Sequence, residues 1–93
     1  MSKNVKSFKL KDIRLIEPLA PQERNLLERL AKGGDVAIVD LYESMQCTIA
    51  AKLPHRYMQQ RVGGCIARVN KKLAVAYVGV GEARKTYRLY QSQ

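Results

Sequence analysis

Over residues 5–16 apolar and charged positions alternate, with Phe8 and Leu10 followed, after a slip at Lys11-Asp12, by Ile13 and Leu15. A period of two predicts an extended segment whose side chains face opposite sides in turn, and the slip predicts a turn or bulge. At Pro18 the period changes. Leu26, Leu27, Leu30 and Ala31 fall on one stripe at helical spacing. Pro21 suits the first helical position, where its missing N–H costs nothing. Glu23 lies in the first turn, where a negative charge favours the positive end of the helix dipole. Gly33-Gly34 stops this first helix near residue 32, because glycine accepts the left-handed conformation that follows a helix end.

A second helix is predicted over residues 38–45, since Ile38, Leu41, Tyr42 and Met45 have the i, i+3, i+4, i+7 spacing. Its start has two readings: Asp35 caps it, or Val36 and Ala37 are extended first. Gln46 to Leu53 forms a connection. Pro54 then opens the third and longest helix, predicted over residues 54–73, with Met58, Val62, Ile66, Val69 and Leu73 as its apolar face. At about 100° per residue the opposite face collects Tyr57, Gln60, Arg61, Gly64, Ala67, Arg68 and Lys71, flanked by Arg56 and Lys72. Gly63-Gly64 either interrupts this helix or is carried within it. Residues 74–80 and 86–90 are rich in valine and tyrosine and predict a hairpin, with Arg84 and Lys85 at its tip.

The 93 residues suffice for one domain. That domain divides into an N-terminal β segment (1–17), a three-helix core (18–73) and a hairpin (74–90). The fold class expected is α+β. A hydrophobic fraction of 46% supports a packed core. No apolar run is long enough to span a bilayer, and no hydrophobic stretch follows the charged N-terminus, so a cytoplasmic protein without membrane contact is expected. Cys47 and Cys65 make neither a disulfide framework nor a metal-ligand spacing with the lone His55. They are expected to be free, half-buried thiols, and no metal or cofactor is expected.

Charge changes the picture more. The net charge is +9, unevenly spread. Residues 1–16 carry Lys3, Lys6, Lys9, Lys11 and Arg14 against Asp12. Residues 17–46 carry three cations against six carboxylates. Residues 47–93 carry nine cations against Glu82 alone. Basicity concentrated in one half implies a surface that faces a polyanion, where uniform basicity would imply only a solvated surface. A long helix with one apolar and one basic face fits the major groove of DNA. Arginine can bond guanine bidentately, glutamine can bond adenine, and lysine pairs with phosphate. Gly64 would let backbone approach backbone, and Ala67 could meet a thymine methyl.

Three short patterns carry a resemblance over residues 18–90. Leu19-Ala20-Pro21-Gln22-Glu23 is similar to the Leu-Thr-Pro-x-Glu opening of the first helix in OmpR-type response-regulator output domains. Ile66-Ala67-Arg68-Val69-Asn70-Lys71-Lys72-Leu73 resembles the Ile-x-Arg-Leu-x-x-Lys-Leu close of their third helix. Thr86-Tyr87-Arg88-Leu89 resembles their Gly-Tyr-Arg-Leu wing ending. The resemblance implies a winged helix-turn-helix with three helices, a C-terminal β-hairpin wing and a short N-terminal β segment. It implies that Arg68 reads bases and that Gln60 makes an early contact from the third helix. It places Arg84 and Lys85 on a wing that reaches the minor groove, and makes the Gln46 to Leu53 loop a surface for RNA polymerase or another protein. The chain departs from the pattern at Ala20, at Gly63-Gly64 and at Asn70. No receiver domain precedes these residues, so phosphorylation control is not expected.

The function expected is sequence-specific binding of double-stranded DNA by a transcriptional regulator, for which a homodimer on DNA is one arrangement. The expected interface comprises Arg56, Tyr57, Gln60, Arg61, Gly64, Ala67, Arg68, Lys71, Lys72, Arg84 and Lys85. Two alternatives share the composition: a non-specific or architectural nucleic-acid binder, and a winged helix that binds protein. Catalysis is not expected, because the sequence offers no Ser/His/acid set and no phosphate loop.

Overall fold

The computed structural model describes residues 13–47 and 52–91. It is an α+β domain of three helices and a three-stranded antiparallel sheet, in the order α1 (Pro21–Ala31), β1 (Val36–Ala37), α2 (Ile38–Gln46), α3 (His55–Lys72), β2 (Ala76–Val80) and β3 (Thr86–Gln91). The apolar stripe of α1 is the centre of the core: Leu26, Leu27 and Leu30 have no exposed surface. Ala20 has no side-chain oxygen with which to cap α1. Instead Glu23 reaches back and accepts the Ala20 N–H at 2.9 Å, satisfying a donor at the helix start. At the other end Gly33 and Gly34 take φ of 96° and 77°, the left-handed region that glycine enters without steric cost.

Val36 and Ala37 resolve the open start of the second helix: they are extended and pair with β3, Val36 opposite Tyr87 and Ala37 opposite Thr86. α2 then buries Ile38, Leu41, Tyr42 and Met45 and ends at Cys47, a left-handed residue with φ of 54°. α3 begins one residue later than expected, Pro54 being its extended N-terminal cap. Gly63-Gly64 does not interrupt it. Helix-interior glycine costs about 1 kcal/mol per residue relative to alanine, yet burial of Val62, Cys65, Ile66 and Val69 on both sides of the pair holds the backbone helical, as tertiary packing commonly does.

The sheet order is β1-β3-β2. β2 and β3 form the expected hairpin, registered Ala76 to Gln91 through Val80 to Tyr87. Ala76 and Val78 face the core. Of the N-terminal β segment only its end is described. Ile13 is buried and Leu15 bridges Leu73, with the Ile16 N–H on the Lys72 carbonyl at 2.6 Å and the Ala74 N–H on the Arg14 carbonyl at 3.0 Å. Residues 1–12 of that segment lie outside the described residues. No helix among the described residues is long and apolar enough to cross a membrane.

The two thiols correct a shared expectation. Cys65 is fully buried and Cys47 is exposed. Cys65 stands three residues after Val62 and four before Val69, squarely on the apolar stripe of α3, and behaves as a small hydrophobe.

Candidate nucleic-acid interface

The apolar residues of α3 point inward, so its other face is turned to solvent. Arg56, Tyr57, Gln60, Arg61, Gly64, Ala67, Arg68 and Lys71 are all exposed, and buried Met58, Val62, Cys65, Ile66 and Val69 alternate with them around the helix. Near its N-terminus the Tyr57 ring meets buried Tyr42 edge-on, with centroids 6.1 Å apart at 65°, and Arg61 lies over Tyr57 at 5.8 Å. Burial pushes the Tyr42 hydroxyl above the ordinary tyrosine range, helped by Tyr57. Beside Gly64 the helix surface is open: a Cβ there would meet only the Arg68 Nη1, at 3.6 Å. Arg56, Arg61 and Lys71 have no carboxylate at ion-pair distance among the described residues.

Arg68 and Lys72 are placed differently. Both converge on Glu23 of α1, which is 3% exposed. Lys72 Nζ lies 2.7 Å from Glu23 Oε1, and Arg68 Nε donates to Oε2 at 3.2 Å. The hydrogen bond from Lys72 is the main reason the Glu23 carboxyl sits below the usual carboxylate range; burial opposes it, and the Ala20 N–H and Arg68 add to it. Lys72 is thus only partly exposed and committed to an internal partner, whereas the Arg68 side chain keeps 54% of its surface in solvent. An acid in the first turn reads from sequence as a complement to the helix dipole. Its partners lie 45 and 49 residues away, and no local pattern reveals them.

Besides its strand pairing and core contacts, the hairpin is held to the rest of the fold by the polar side chains of Asn70 and Asp35, neither tie apparent from sequence. The Asn70 side chain of α3 donates to the Val78 carbonyl at 3.0 Å and accepts the Val78 N–H at 2.7 Å. One amide thereby satisfies the free edge of β2 in the manner of a strand neighbour. Asp35, just before β1, accepts the Ala83 N–H at 2.7 Å, and its other oxygen is buried beside Arg88 Nη1 at 3.5 Å. Arg88 also reaches Glu82 at 3.8 Å and the Tyr90 ring at 5.8 Å, so it braces the hairpin from within. A Cβ on Gly81 would collide with Thr86 Oγ1 and lie 2.7 Å from Asp35 Oδ1, which reserves that position for glycine.

Beyond these ties Arg84 and Lys85 are exposed at the tip, Lys85 with a left-handed φ of 54°. Neither has an ion-pair partner among the described residues. On the outer face Tyr77 and Tyr90 stack at 5.2 Å and 19°. Of the loop from Gln46 to Leu53, residues 48–51 lie outside the described residues. At its near end Gln46 Oε1 accepts from Gln22 at 2.8 Å, and at its far end Lys52 and Leu53 are exposed.

The arrangement therefore offers an 18-residue helix with polar and cationic side chains on a rigid support, and two further cations on a braced hairpin tip. Such side chains can bond phosphates and base edges; among the described residues no group of three or more His, Cys, Asp or Glu converges as a metal site would require. Comparison with family models, curated proteins and solved structures returns no match.

Proposed function

We propose that this protein is a winged helix-turn-helix transcriptional regulator that binds double-stranded DNA sequence-specifically, with α3 in the major groove and the β2–β3 hairpin on the backbone or minor groove. The observation that carries this reading is the exposed face of α3. Eight residues able to contact DNA project from one unbroken helix whose other face is anchored in the core. A helix of this kind fits the major groove, whose base edges present a distinct donor and acceptor pattern for each pair. The order of three helices, a short edge strand between the first two, and a C-terminal hairpin supports the same reading, as do the sequence patterns similar to OmpR-type output domains.

The roles follow from chemistry. Gln60 and Arg68 are suited to base edges, and Arg56, Arg61 and Lys71 to phosphates. Tyr57 adds an aromatic edge, and Gly64 and Ala67 leave room for close approach. Arg84 and Lys85 serve the hairpin contact, while Lys72 acts through Glu23. An architectural, non-specific mode has one observation in its favour: with Arg68 and Lys72 engaged by Glu23, the cations of α3 without a carboxylate partner among the described residues are Arg56, Arg61 and Lys71, all suited to phosphates.

Selection from a randomised duplex library tests the proposal. A reproducible enriched sequence is expected, bound far more tightly than a scrambled duplex of the same composition at one fixed salt concentration. Binding of comparable strength to both duplexes would favour the architectural mode, and no binding at low salt would exclude both.

A further inference from the structure

We infer that Glu23, a residue of α1 that itself touches no DNA, is the positioning residue for Arg68 and so sets the protein's discrimination between DNA sequences. The inference rests on the DNA-binding reading above and deepens it. Glu23 is a fixed point: its carboxylate is buried, its Oε1 accepts from the Ala20 N–H at 2.9 Å at the start of its own helix, and Lys72 holds that same oxygen at 2.7 Å. Only Oε2 remains, and it takes the Arg68 Nε–H at 3.2 Å.

A guanidinium has five N–H donors in a rigid planar fork. Engaging the one at Nε restrains the plane of the group and leaves the two terminal nitrogens unclaimed by Glu23. The Arg68 side chain is 54% exposed, and its Nη1 lies over the open helix surface at Gly64. The fork thus runs from a buried anchor out along the exposed face of α3, with the pair of nitrogens suited to a guanine edge at its free end. An arginine held only by its own flexible chain would have to be ordered on binding, and that ordering is unfavourable. The anchor removes that cost in advance and restricts the directions in which Arg68 can bond.

Lys72 completes the device. A buried carboxylate facing a single half-exposed cation would be poorly compensated. With Lys72 on Oε1 it stays charged and in place whether or not Arg68 is also engaged by DNA.

The test compares Glu23→Gln, Arg68→Ala and the double variant with the unsubstituted protein. The probes are the duplex enriched by library selection and a scrambled duplex, at one salt concentration. Glutamine keeps the shape of the side chain, but its single amide oxygen cannot serve both Arg68 and the Ala20 and Lys72 donors. The ratio of affinities for the two duplexes is expected to fall roughly tenfold in Glu23→Gln, within the range of one good base contact, with little change on the scrambled duplex. In the Arg68→Ala background the same substitution is expected to leave the ratio unchanged, a coupling that a merely structural role would not produce. An unaltered ratio in Glu23→Gln, or equal losses on both duplexes, overturns the inference while leaving the recognition mode standing. Failure of the unsubstituted protein to discriminate at all overturns the recognition mode and this inference together. Should Glu23→Gln fold poorly, the unsubstituted protein still decides. Its Arg68 Nε–H resonance, identified by its loss in Arg68→Lys, is expected to remain protected from solvent exchange when the enriched duplex is added. Loss of that protection on binding overturns the inference.

Discussion

At the scale of single residues, exposure alone is a poor guide to what a cation does here. Lys71 and Arg68 both stand on the outer face of α3, yet Lys71 has no carboxylate partner among the described residues and Arg68 is bonded to a buried one. Arg68→Ala is expected to cost about 1–3 kcal/mol on a preferred duplex and much less on a scrambled one, whereas Lys71→Ala should weaken both similarly. Affinities on both duplexes at equal salt make the comparison. Folding separates the two as well. Reading Arg68 from sequence as merely exposed implies no effect on stability. Its bond to Glu23 instead implies a loss of about 0.5–1 kcal/mol in Arg68→Ala, small because half of the side chain is solvated, and none in Lys71→Ala. Glu23 also gives the protein an acid sensitivity of known sign. Because its folded-state carboxyl lies below the ordinary range, its contribution is fully present above the unfolded glutamate pKa of about 4.3 and disappears as the pH falls through the folded value. Urea midpoints measured between about pH 6 and pH 3 should therefore drop less steeply in Glu23→Gln than in the unsubstituted protein.

At the scale of elements, the helices were legible in the sequence because each carries three or more apolar residues at helical spacing. Expected and observed bounds differ by one residue at most ends. The strand β1 was only half legible, since two residues are too few to show a period. Cys65 could have been placed in the core from its spacing to Val62 and Val69; reading it as a thiol rather than as an apolar position concealed that. The ties through Glu23, Asp35 and Asn70 were not legible, because each joins a polar side chain to a partner whose proximity only the tertiary fold creates. Asn70→Ala tests one of them. It leaves the Val78 N–H and carbonyl without their partner, for an expected loss of about 1–2 kcal/mol and faster hydrogen exchange at the Val78 amide. The glycine pair in α3 offers a test of the opposite sign. A Cβ on Gly63 would meet nothing within 4 Å, and one on Gly64 only an ordinary contact at 3.6 Å. Gly63→Ala and Gly64→Ala should each stabilise the free protein by about 1 kcal/mol. Only Gly64→Ala should also weaken DNA binding, if backbone approach at the exposed face is the reason glycine stands there. Thermal unfolding and affinity, measured on the same preparations, distinguish the two positions.

At the scale of the whole molecule, charge is sorted along the chain and then partly neutralised by the fold. The acidic middle of the sequence sends Glu23 to Arg68 and Lys72 and Asp35 to Arg88, so the exposed positive surface is smaller than the composition suggests. Among the described residues, the cations of α3 and the hairpin tip without an ion-pair partner are Arg56, Arg61, Lys71, Arg84 and Lys85. Each phosphate contact contributes a slope of about −0.9 to the dependence of log affinity on log salt. Arg84→Ala combined with Lys85→Ala should therefore flatten that slope by about 1.8 if both touch phosphate, while altering preference among sequences little. An unchanged slope would remove the hairpin from the contact surface. The contrast between the two thiols bears on any attempt to count copies of the protein on DNA. Cys65 is sealed in the core, and burial raises its pKa further from reactivity, whereas Cys47 lies open at the end of α2. In air the only thiol within reach of a second molecule is thus the one at Cys47, and oxidation there would couple chains in pairs. A slow-migrating complex in a gel would then record the age of the sample rather than cooperative assembly, and would vanish on adding a reductant or in Cys47→Ser.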